Sequence, residues 1–174
     1  MVIRKPYEDF KKKAIQSKRY AFIAEHRGGP LTSDKHRKLI KWAKECSEHV
    51  LILIDKEIDS RLLYALDVAE KWENNSVTTG VAMKASLCAH AVARQAENPV
   101  YKAVARSIGQ TAATAHMADH CVGGAFYALK AIKLAKMDIE NERNWQLKKL
   151  GELPPDLIEI VQTMWQDKEL DKKI

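Results

Sequence analysis

Apolar residues recur along this chain with a helical period, and the alternation of a half-buried strand is nearly absent. A first helix is predicted from after Pro6 to about Phe22. His26 to Pro30 breaks the pattern, because paired glycines followed by proline do not continue a helix. Thr32, Ser33 and Asp34 are good N-caps for a second helix, whose stripe of Leu39, Ala43, Cys46, Val50 and Leu53 runs to about Lys56. A third helix is predicted from about Ser60 to Glu73, carrying Leu63, Leu66, Ala69 and Trp72, and Asn74 to Ser76 form a polar turn. Thr78 or Thr79 caps a fourth, marked by Val81, Ala85, Cys88 and Val92.

Pro99 suits the first turn of a fifth helix. The pattern then stays helical to Lys136, which as one rod would span about 57 Å at 1.5 Å per residue, too long for a compact domain. A break is therefore expected between His116 and Gly124, where Asp119 and the Gly123–Gly124 pair lower helix propensity. Beyond it, one helix carries Phe126, Leu129, Ile132 and Leu134. Another runs from about Glu140 to Leu150 and stops at Gly151, and Pro154–Pro155 open the last, from Asp156 to about Leu170. With short connections and no repeat or linker, the expected fold is all-α: a single helical domain over 1–174, a bundle of seven or eight helices around a central Ala/Gly-rich pair. Residues 1–32 form its basic N-terminal helix and loop.

Composition narrows the classes. At 174 residues with 46% hydrophobic and 30% charged side chains, the chain has the make-up of an ordered globular domain. No run of about 18 apolar residues suggests a membrane helix, and Met1 to Phe10 lack the apolar core of a signal peptide. Three cysteines without a C-x-x-C pair fit free thiols in a reducing compartment, so a cytoplasmic location is expected. Charge is uneven. Residues 1–45 carry 13 basic and 5 acidic side chains, and residues 101–137 carry 5 and 1. Such stretches attract nucleic acid or an acidic protein, or simply form a solvated helix face. Zinc-finger, RNP and GXXG signatures of nucleic-acid binding are missing, as are P-loop, dinucleotide and nucleophile-elbow motifs.

The central segment holds the residues best suited to chemistry. On a continuous helix, His116, Asp119 and His120 at i, i+3 and i+4 would share one face, and two imidazoles so spaced can bind one divalent transition metal. The glutamate that follows the first histidine in zinc-protease helices is replaced by Met117, so no local general base is supplied. Further ligands would come from His49 or His90, with Cys46, Cys88 and Cys121 as weaker candidates. Each cysteine lies within three residues of a histidine. The competing reading makes these residues ordinary hydrogen-bonded histidines and buried small hydrophobes. No residue is assigned a catalytic role.

Four stretches carry a family resemblance: His36 to Leu53, Asp59 to Trp72, Ala85 to Ile132 and Asn141 to Leu157. In their order, and in the H-M-A-D-H run at His116 to His120, they resemble the immunity-5-like "putative immunity protein" family of bacterial polymorphic toxin systems. The resemblance falls on Trp42, Cys46, Glu48, His49, His90, Arg94, His116, Asp119, His120, Tyr127 and Lys130, while Cys121 and Gly123–Gly124 depart from the pattern. It implies an all-helical protein that binds a toxin-like protein partner without turnover, self-association remaining open. Two other readings stand beside it: a helical-bundle metalloprotein or hydrolase at His116, Asp119 and His120, and nucleic-acid binding through residues 4–44.

Overall fold

A computed structural model describes residues 19–174. Most of the helix predicted over 6–22 lies outside them; Tyr20–Phe22 form a single 3-10 turn. Among the described residues there are seven α-helices and no strand: α1 (Ser33–His49), α2 (Ser60–Glu73), α3 (Thr79–Gln95), α4 (Pro99–Ala113), α5 (His120–Leu134), α6 (Ile139–Leu150) and α7 (Pro155–Asp167). The fold is all-α, as the periodicity predicts, and no described helix is long and apolar enough to cross a membrane.

Local chemistry sets the helix starts. Side-chain oxygens of Thr32, Asp59, Thr78, Asn98 and Asp138 accept the first free backbone N–H groups of α1, α2, α3, α4 and α6. Proline occupies the first turn of α4 and α7. The end of α1 differs from expectation. α1 stops at His49, short of Lys56, and Leu51–Leu53 form a 3-10 turn. Val50 to Ile54 are all apolar, and no α-helix turns five consecutive side chains inward. The tighter turn packs Leu51, Leu53 and Ile54 on the core and leaves Ile52 83% exposed.

α4 is the centre of the bundle, packed against α1, α2, α3 and α5. From Ala103 onward its non-buried positions are Arg106, Gln110 and Ala113, a strip at i, i+4 and i+7 that surfaces between α3 and α5. The break after α4 comes at Thr114–Asp119, ahead of the glycine pair. Thr114 Oγ1 turns back onto the Gln110 carbonyl at 3.1 Å, and the N–H groups of both His116 and Met117 bond the Ala113 carbonyl. Gly123 and Gly124 stay inside α5, because close approach is what they provide. A Cβ on Gly123 would fall 2.6 Å from Gln110 Oε1, and one on Gly124 2.8 Å from Thr111 Oγ1. Tertiary contact here outweighs the roughly 1 kcal/mol of helix propensity that each glycine forgoes.

At the same crossing, Ser47 Oγ of α1 sits 2.8 Å from both Ser107 Oγ and Thr111 Oγ1 of α4. Ser107 donates to the Gly124 carbonyl at 2.7 Å, and Thr111 to the Ala43 carbonyl at 3.1 Å. On the far side of α1, the Trp42 indole N–H donates to the Gln146 carbonyl, which anchors α6.

Candidate functional site

The α4 strip and its two banks form the most developed polar site. His90 of α3 lies flat against Gly109: a Cβ on that glycine would be 2.6 Å from His90 Cε1. Arg106 Nη1 donates to His90 Nδ1 at 3.1 Å, so the ring carries its proton on Nε2. One turn on, Gln110 rests on Gly123 and its Oε1 lies 2.7 Å from His120 Nδ1. With that oxygen as acceptor, His120 donates from Nδ1 and keeps Nε2 as an open acceptor. Two glycines, one on α4 and one on α5, thus seat two polar side chains, and two imidazoles are fixed in opposite tautomers.

Electrostatics favour the neutral rings. Burial, then Arg106, Arg94 and His120, push His90 down to about 4. Burial also lowers His120, opposed by Asp119 and helped by Arg19, Lys168 and His116. Neither Arg106 nor Arg94 has a carboxylate partner among the described residues. The strip is therefore cationic, with neutral hydrogen-bonding rings between its charges.

At the α4–α5 turn the expected one-turn face of His116, Asp119 and His120 is not built, because the chain leaves the helix between them. His116 lies in the turn, its Nδ1 3.2 Å from Arg27 Nη2. Asp119 sits at the start of α5 but caps nothing. Its carboxylate is buried and bound by Arg19 Nε at 2.8 Å and Nη2 at 3.2 Å, with Lys168 Nζ 3.8 Å away. His120 opens α5. Among the described residues, no three His, Cys, Asp or Glu side chains converge as a group able to hold a metal ion.

The other candidates divide. His90 joins the His120 side of the site. His49 stands apart, where its Nδ1 meets the buried Glu142 carboxylate at 2.7 Å and its ring stacks on Trp145 at 3.7 Å, tying α1 to α6. Gln146 Nε2 reaches the other Glu142 oxygen at 3.3 Å. Cys46 and Cys121 are fully buried, and burial pushes both thiols well up, away from the reactive thiolate. Cys88 is half-buried. Of the basic N-terminal stretch, residues 4–18 lie outside the described residues. Lys35 pairs with Asp156, Lys38 with Asp34, and Lys44 with Glu48 and Glu70.

Sequence reading missed Arg106, Gln110 and Glu142, the partners of His90, His120 and His49, and Arg19 and Lys168, the partners of Asp119. One signal was available for the first two: Arg106 and Gln110 flank Gly109 on the only stretch of α4 that combines polar side chains with a glycine. Nothing local announces Arg19 or Lys168, because their contacts to Asp119 span the chain.

Comparison with curated proteins and with solved structures gave no match. The family described as Imm-5 like putative immunity protein matches residues 29–153, a span that includes all five candidate His and Asp residues and the whole strip. On that match, the chain belongs to the Imm-5 like putative immunity protein family.

Proposed function

We propose that this protein works by binding rather than turnover: it is an immunity-type protein whose α3–α4–α5 face receives an acidic surface of a protein partner. The state of the strip carries this reading. A histidine held near 4 is a weak base at neutral pH, far from the matched pKa that general acid–base chemistry needs. What the strip offers instead is fixed hydrogen-bond valence: Nε2–H on His90, bare Nε2 on His120, and Arg106 and Arg94 without internal carboxylates. Rigid donors beside unpaired guanidinium groups suit carboxylate recognition, and such charges raise encounter rates and discriminate between partners.

The test is a comparison of baits in extract of the native host: wild type against an Arg94→Glu/Arg106→Ala double variant of equal stability. A protein retained by the first and lost from the second, confirmed by calorimetry with the purified partner, is the expected result. If every captured protein binds both baits equally, the strip is not the contact face.

A further inference from the structure

A second site lies elsewhere, between the first turns of α1 and the α2–α3 turn. It is a cavity of about 410 Å³. Its floor is aromatic and held in place. The Trp72 indole N–H donates to Thr79 Oγ1 at 3.1 Å, and the buried His36 ring meets Trp72 edge-on at 4.8 Å. His36 Nε2 in turn donates to the Thr114 carbonyl at 2.6 Å. Asn75, at φ 59°, reverses the chain so that the segment through Thr79 closes one wall.

The lining contains no Asp or Glu. Glu25, which flanks the wall at His26, is committed to Ser33: it accepts from both the backbone N–H and the hydroxyl at 2.9 Å. Arg37 lines the cavity half-buried. Among the described residues no carboxylate lies within ion-pair distance of it; the Asp34 carboxylate, one turn back on α1, feels its charge but is paired with Lys38, as Lys35 is with Asp156. Burial is the main cause that lowers the pKa of His36, opposed by its hydrogen bond to Thr114, and the neighbouring His26, Arg27 and Arg37 add to the lowering. The hydroxyls point the same way chemically. Thr79 Oγ1 accepts from Trp72 and Thr78 Oγ1 from the Val81 N–H, so each retains its own hydrogen to donate. A hollow furnished with hydroxyl donors and a guanidinium, and with no acidic lining, suits an anionic acceptor.

We propose that this cavity binds a small-molecule oxyanion, a phosphate or carboxylate group, with Arg37 as its principal charge contact and Thr78 and Thr79 as donors. The space exceeds that of a bare anion, so the body of the ligand would lie against Trp72. This site is independent of the partner face: its failure would leave the binding reading intact.

The test is an amide and indole NMR titration of the full chain with inorganic phosphate, acetate and phenyl phosphate in turn. Saturable shifts at Asn75 to Gly80 and at the Trp72 indole are expected, with phenyl phosphate binding more tightly than inorganic phosphate. Preference between phosphate and acetate assigns the class of oxyanion. Arg37→Ala should weaken binding by roughly tenfold or more. Arg37→Lys, which keeps the charge without the fork, should fall between, and Lys41→Ala, away from the cavity, should bind as wild type. Shifts that never saturate, or equal affinity in the three Arg37 forms, would overturn the assignment. Should Arg37→Ala fail to fold, the Arg37→Lys comparison decides.

Discussion

Gly109→Ala tests whether His90 is truly seated on α4. The new methyl would lie 2.6 Å from His90 Cε1 and 2.7 Å from Nδ1. α4 is packed on four sides and does not retreat, so the imidazole must leave its seat. Two effects on stability oppose each other. Alanine is better than glycine in a helix interior by about 1 kcal/mol. Displacing the ring forfeits its packing and the Arg106 hydrogen bond, about 1–3 kcal/mol. The net expectation is a fold weakened by about 0–2 kcal/mol and still formed at neutral pH.

The larger consequence is for ionisation. His90 is pushed down to about 4 chiefly by burial, and outside its seat that cause disappears, so its pKa returns toward 6.5. The sign of the linkage follows. In wild type the folded value lies below the unfolded one, so the contribution is complete above pH 6.5 and is lost as pH falls toward 4, where the unfolded chain takes the proton first. Full coupling is about 1.36 kcal/mol per pH unit. Over that window the loss is about 3 kcal/mol, and roughly half that for a ring partly open to solvent. In Gly109→Ala this acid-dependent loss shrinks. Imidazole Cε1–Hε1 spectra followed from pH 8 to 3.5, with His90→Gln to assign the resonance, give an inflection near 4 in wild type and near 6 in the variant. The same inflection in both proteins would refute the argument.

Other expectations are simpler. Ellman's reagent at pH 8 should label one thiol, Cys88, quickly in the native protein and all three after denaturation, because Cys46 and Cys121 are buried with raised pKa values; a rapid second equivalent would show that the core opens more readily than its packing implies. His49→Ala removes the ring stacked on Trp145 and leaves the buried Glu142 with Gln146 as its remaining side-chain partner, and should cost about 2–4 kcal/mol in urea unfolding at pH 7. A loss under 0.5 kcal/mol would mean the pair is not formed in solution. Asp119→Asn should loosen both ends of the described chain together, since Arg19 and Lys168 share that carboxylate. Hydrogen exchange should rise around residues 19–23 and 165–170 while α4 stays protected, and an unchanged pattern would dismiss the tie.

The helices were legible because their signals are local. Ser60–Glu73 emerges with the predicted limits, since a cap and a polar turn bracket one short window, although its apolar stripe is set one residue off: Leu62 is buried where Leu63, expected there, is 48% exposed. The α4–α5 break was legible in kind but not in place, because glycine propensity is a weak prior and Gly123 and Gly124 are there to admit Gln110 and Thr111. The site was legible in its residue types only. Spacing points to His120 as a metal ligand, with His90 as a further ligand from elsewhere, whereas the hydrogen-bond partners that hold the two rings, Arg106 and Gln110, carry no such signal. A helical spacing argument also presumes a helix, and His116 lies where there is none. What stayed hidden was partnership across distance: Glu142 for His49, Arg19 and Lys168 for Asp119.

The three hydroxyls at the α1–α4 crossing repay a count of hydrogens. Ser47, Ser107 and Thr111 bring three, but the oxygens make four close approaches, two of them to carbonyls. Ser107 and Thr111 have already given theirs to Gly124 and Ala43. The single hydrogen of Ser47 can therefore point at one neighbour and never at both. With Ser107 and Thr111 donating to carbonyls, the other contact has no hydrogen between its oxygens. Ser47 serves there as a spacer that sets how close α1 comes to α4, and the clamps are the two hydroxyl–carbonyl bonds on either side of it.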